Sequence, residues 1–198
     1  MSTYYHNLRE KTARRLHIRP PQSSDEQLLA QLRAVKQQIQ GATPEEIEFA
    51  KYIAASHENT DKEFENLVNK HNKGGKPWGH ISSPEAKQFI NEVLTKENKN
   101  RYKLDRPHLL ESSLKYKLGL PSEMARTSIK SSYPSYHAAW SSYLAEHAKR
   151  NIPKSNRHEA DDLVNRIVKS RHILGYHTPQ DTTEGTRIGK AYARKQLR

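Results

Sequence analysis

The chain has 198 residues, with 34 Lys and Arg against 22 Asp and Glu, a formal net charge of +12, and no cysteine. One third of it is apolar, ten Tyr, three Phe and two Trp included, so it can bury one core, whereas its apolar runs fall far short of the roughly twenty residues of a membrane span. Disulfide scaffolds, thiolate catalysis and cysteine-based zinc sites are excluded, and the charge leaves two classes of partner, a polyanion such as nucleic acid or a small anion.

Residues 1–22 carry Arg9, Lys11, Arg14, Arg15 and Arg19 and end at Pro20-Pro21. With no apolar stretch they read as a basic arm rather than a secretory signal, and the expected location is the cytoplasm, with no membrane contact. Residues 23–198 read as a single helical domain. Ser23-Ser24-Asp25 predicts a helix start, and Leu28, Leu32, Val35 and Ile39 recur at helical spacing as far as Gly41. Thr43-Pro44-Glu45-Glu46 opens a second helix with Ile47, Ala50, Ile53 and Ala54 inward, which makes a helical hairpin. Thr60 is the expected cap of a third, carrying Phe64, Leu67 and Val68; it ends before the turn-rich run from Lys73 to Gly79. Ser83-Pro84-Glu85 starts a fourth, with Phe89, Ile90, Val93 and Leu94 inward.

From Asn98 to Pro134 the pattern weakens around Pro107, Gly119 and Pro121, leaving a short helix at Leu109, Leu110 and Leu114 in a functional connection. Three further helices are expected near 136–150, 156–173 and 179–195. No useful segment alternates at period two, so the fold class is all-α, a bundle of roughly seven helices.

Three constellations carry chemistry. Lys99 and Arg106-Pro107 set two cations seven residues apart, which is also what a solvated basic surface looks like. Ser132-Tyr133-Pro134-Ser135-Tyr136-His137 places a Ser cap before a helix whose free amides can hold an anion, or which is simply a capped helix. Ser170-Arg171, His177 and Asp181 fall around one helix–turn–helix, where an arginine can hold an anion and a carboxylate can orient an imidazole; Thr178-x-x-Asp181 is equally a capping box.

In order, Lys-x6-Arg-Pro, Pro-Ser-x-His and Ser-Arg-x5-His-x3-Asp resemble the signature of the type 2 phosphatidic acid phosphatase superfamily. That superfamily takes in class A acid phosphatases, lipid phosphatases and vanadium haloperoxidases. The resemblance, closest to the soluble acid phosphatase branch, covers Lys99 to Asp181 and none of residues 1–98. It implies a helical phosphatase domain acting on small phosphomonoesters, with nucleoside 5'-monophosphates favoured, and with no cofactor or metal. It further implies His177 as the nucleophile that carries a phosphohistidine, Asp181 as its partner and His137 as the general acid. Lys99, Arg106, Ser135, Tyr136 and Arg171 would bind the phosphate. The superfamily usually has Gly where Tyr136 stands; the ring either stacks on a nucleoside or packs against a neighbouring helix.

A haloperoxidase would use the same residues on vanadate. A nucleic-acid binder would use the arm together with Arg187, Lys190, Arg194, Lys195 and Arg198. The stripe Leu28, Leu32, Val35 and Ile39 could mediate a homo-oligomer or belong to the core. His158-Glu159-Ala160-Asp161-Asp162 holds ligand-type residues at a helix start, where acids also serve the helix dipole. Gly74-Gly75-Lys76 lacks the spacing of a phosphate loop.

Overall fold

In the computed structural model, which describes residues 18–72, 84–120 and 131–197, helix ends fall where capping side chains stand. Ser24 and Gln27 cap each other reciprocally at the start of α1 (Asp25–Gln40), and Thr43 and Glu46 do the same for α2 (Pro44–Ala55). Helix α3 (His57–His71) begins earlier than the sequence suggests. Ser56, whose hydroxyl accepts from the Glu58 amide at 3.1 Å, caps it in place of Thr60, which is buried inside the helix. Pro84–Phe89, a π-helical stretch Ile90–Lys96 and Glu97–Tyr102 run on as one helix, α4. Then come α5 (Pro107–Ser113), α6 (Tyr136–Asn151), a 3-10 turn Lys154–Asn156, α7 (Arg157–Ile173) and α8 (Pro179–Gln196).

Among the described residues there are thus eight helices and no strand, beyond one isolated bridge between Asp105 and Ser131, and the all-α expectation holds. No helix among them is long and apolar enough to cross a membrane. The run Lys73 to Gly79, Ser83 and most of the basic arm lie outside the described residues.

Helix α6 forms the axis of the bundle. Ala138, Ala139, Trp140, Tyr143, Leu144, Ala145 and Ala148 are all buried, as expected of a helix covered by neighbours on most of its circumference. Trp140 stacks on Tyr143 (5.2 Å between centroids), Tyr143 on Tyr192 of α8 (5.6 Å) and Tyr192 on Phe89 of α4 (4.6 Å). Burying each large ring contributes about 3 kcal/mol. The Trp140 indole N–H donates to Asp61 of α3 at 2.6 Å, and Lys87 of α4 donates to the other oxygen of the same carboxylate at 2.6 Å.

Helices α6 and α8 approach backbone to backbone. A Cβ at Gly185 would run into the Ser135 carbonyl oxygen, and one at Gly189 into that of Ala139, so Gly-x-x-x-Gly on α8 permits the contact. The stripe on α1 belongs to the core: Leu28, Leu32 and Val35 are buried and Ile39 packs beside them. The last residues of the arm are also held. Ile18 is buried, the Tyr102 hydroxyl donates to its carbonyl at 3.1 Å, and the Tyr133 hydroxyl donates to that of Arg19 at 2.6 Å.

Candidate active site

Main-chain and side-chain hydrogen bonds bring the three constellations together. The Ser132 amide donates to the Leu104 carbonyl at 2.8 Å, which ties the Lys99–Pro107 stretch to the second constellation. Arg106 Nη1 donates to the Tyr176 carbonyl at 2.7 Å, which ties it to the third. The Ser135 amide donates to the Asp181 carbonyl at 2.9 Å, joining second and third. The glycine-mediated approach of α8 to α6 sets this last distance.

The turn that presents His177 follows from the end of α7. Gly175 stands at φ 63°, the left-handed conformation that glycine adopts without cost, and the Arg171 carbonyl accepts from the amides of both Tyr176 (3.0 Å) and His177 (3.3 Å). Arg171 therefore anchors the loop with its backbone while its guanidinium, 3% exposed, lies in the site; Nε and Nη1 are buried without a hydrogen-bond partner. The Tyr176 ring meets two cations, with its centroid 4.8 Å from the Arg171 guanidinium carbon and 5.9 Å from that of Arg106.

Asp181 caps α8 and also faces His177. Its Oδ2 accepts from the Thr178 amide at 2.7 Å, the capping bond of α8, and the same oxygen faces His177 Nδ1 at 3.5 Å. That separation is too long for a formed hydrogen bond, and Asp181 Oδ1 has no partner. With Nδ1 turned to the carboxylate, Nε2 is the nitrogen left for chemistry. Ser135 caps α6, its hydroxyl accepting from the Ala138 amide at 3.4 Å, which leaves the Tyr136 and His137 amides at the mouth of a 16-residue helix.

Charge in the site is strongly biased. Burial first and then the charge of Arg106 bring Lys99 down to about 8, and the same two causes bring Arg171 down to about 10 against Tyr176, which raises it. His177 is held well below its ordinary value, by burial first and then by Arg106, Lys99 and Arg171. His137 is depressed too, by burial and then by Arg171, His57, Lys99 and Arg106, so both imidazoles are neutral at pH 7. Asp181 goes the other way: burial raises it to about 6 against the hydrogen bonds and Arg106, which lower it. The cluster therefore joins three cations to one fully buried carboxylate, an arrangement that attracts an anion.

Lys99, Arg106, Ser135, Tyr136, His137, Arg171, His177 and Asp181, which the three constellations contribute, lie in this one cluster. The Tyr136 ring is buried and meets His57 of α3 edge-on at 5.2 Å, the packing contact with a neighbouring helix, and its amide stays at the helix mouth. Three residues were missed. The His57 ring lies tilted against that of His137 at 4.8 Å, the Tyr176 ring meets both guanidiniums, and His172 on α7 bonds the Thr182 hydroxyl of α8 through Nε2 at 3.0 Å. Two of them stand beside a site residue in the sequence, His172 after Arg171 and Tyr176 before His177, and nothing local marks His57.

The other candidates are otherwise engaged. Glu159 pairs with Lys70 and His71, Asp161 with Lys149 and Lys190, and among the described residues no three His, Asp or Glu converge as a metal site. At the C-terminal end Arg187 pairs with Glu184 and Arg194 with Glu146. Searches against protein-family models, curated proteins and solved structures return no match.

Proposed function

We propose that the protein is a phosphomonoesterase resembling the type 2 phosphatidic acid phosphatase superfamily. It acts on small phosphomonoesters, nucleoside 5'-monophosphates among them, through a phosphohistidine. The observation that carries this reading is the buried Arg171 guanidinium, unpartnered at Nε and Nη1, set with Lys99 and Arg106 around the His177–Asp181 pair. Buried guanidinium N–H groups without acceptors, as at Arg171, cost stability, and a phosphoryl group would supply those acceptors.

In this reading His177 Nε2 attacks phosphorus as the ester P–O bond breaks. The leaving oxygen takes a proton from His137, and Asp181 stabilises the imidazolium formed at His177. His137 then takes a proton from water, whose oxygen attacks phosphorus and breaks the P–N bond, so phosphate leaves and both histidines return to their starting states. His137 must be protonated in the first step although the cations around it disfavour that. The substrate dianion offsets those cations and raises His137 in the complex.

The test is hydrolysis of an aryl phosphate, nucleoside monophosphates and sugar phosphates by the purified chain and by His177→Ala. Turnover inhibited by vanadate, and reduced at least a thousandfold in the variant, is expected. Turnover unchanged in His177→Ala, or vanadate-dependent halide oxidation in its place, would overturn the reading.

A further inference from the structure

A cleft of about 630 Å³ runs along α4 beside the site, and Lys99 lines it while also acting on the charges of Asp181, Arg171, His137 and His177. Lys96, Lys99, Asn100 and Lys103 line it together: Lys99 and Asn100 stand three and four residues after Lys96, and Lys103 three and four residues after them, as on one side of a helix. The π-helical stretch brings Asn91 onto the same face. There the Glu97 amide bonds the Glu92 carbonyl five residues back, and the Thr95 hydroxyl bonds the Asn91 carbonyl at 2.6 Å, so Asn91 and Lys96 are neighbours one wide turn apart. Lys103 closes the row in the left-handed conformation, φ 49°, and turns the chain toward Asp105 and Arg106.

None of Lys96, Lys99 and Lys103 forms an ion pair among the described residues, and Asp105 is the one carboxylate among the described lining residues. Three ammonium groups over seven residues span roughly 10 Å of helix, longer than one phosphate can use. We infer that this cleft is a second anion subsite, and that the preferred substrates carry a further phosphate beside the reacting one, as bisphosphates and diphosphates do. Lys99 would then contact the reacting phosphoryl group, Lys96 and Lys103 the second phosphate, and the Asn91 and Asn100 amides the oxygens between them. This substrate class rests on the phosphatase reading; the subsite itself is defined by the cleft.

Two measurements test it separately from that reading. The first compares kcat/KM for adenosine 3',5'-bisphosphate with that for adenosine 5'-monophosphate. A preference of about tenfold or more is expected, collapsing toward one in Lys96→Ala/Lys103→Ala but retained in the charge-matched Lys62→Ala/Lys154→Ala. The second is calorimetric binding of inorganic phosphate and inorganic pyrophosphate, which needs no turnover. Pyrophosphate should bind about tenfold tighter than phosphate, and that margin should vanish in Lys96→Ala/Lys103→Ala. If phosphate binds and pyrophosphate binds no tighter, or the double variant keeps the margin, the subsite is refuted while the phosphatase reading stands. If neither anion binds, the phosphatase reading fails and takes this substrate class with it.

Discussion

Asp181→Asn is expected to stabilise the protein above neutral pH and to disable it. The carboxyl is fully buried, and burial lifts it from 3.8 to about 6. The folded state therefore binds this proton more tightly than the unfolded state, so stability falls as pH rises from about 4 to about 6 and stays lower above that. The gap corresponds to about 3 kcal/mol. Asparagine keeps the shape and can still accept from the Thr178 amide, but it carries no charge to desolvate. The experiment is urea denaturation of both proteins from pH 4 to pH 8. The difference between them should move by about 3 kcal/mol in favour of the variant across that range, while kcat drops about a thousandfold or more because an amide cannot balance an imidazolium. A difference that does not change with pH would refute the assignment of a costly, functionally retained carboxylate at Asp181.

Other perturbations reach the same site from different sides. Gly185→Ala puts a methyl group against the Ser135 carbonyl and should cost about 2 kcal/mol in a denaturation curve, together with weaker phosphate binding as α6 is pushed away from α8. His57→Gln removes a ring that can share positive charge with His137, so the His137 titration followed by NMR should move upward; a fixed midpoint would mean the pair is not electrostatically coupled. Because bound phosphate offsets the cations that depress His137, the alkaline limb of kcat should lie at higher pH than that of kcat/KM. Coincident limbs would contradict this.

What was legible in the sequence is what acts over a few residues. Reciprocal caps at Ser24 and Thr43, the Ser135 cap and the Thr178–Asp181 turn all announce themselves locally, because the donors they satisfy lie within one turn. Thr60 misled for the same reason: it is a good capping residue, and only the stronger geometry at Ser56 decides against it. Gly185 and Gly189 look like weak points in a helix until α6 lies across them. The contact of His57 with His137, eighty residues later, has no local trace, and the π-helical stretch carries none either. Tyr136 could be read either way from sequence, since stacking and packing use the same ring, and its neighbour on α3 comes from a distant part of the chain.

The central claim is that His177 becomes covalently phosphorylated. Rapid quenching of the protein during turnover of a 32P-labelled aryl phosphate tests it most directly. Label on the protein that is stable to base and labile to acid, as a phosphoramidate is, is expected, with its complete loss in His177→Ala. Turnover with no such label, or label that persists in His177→Ala, would contradict it.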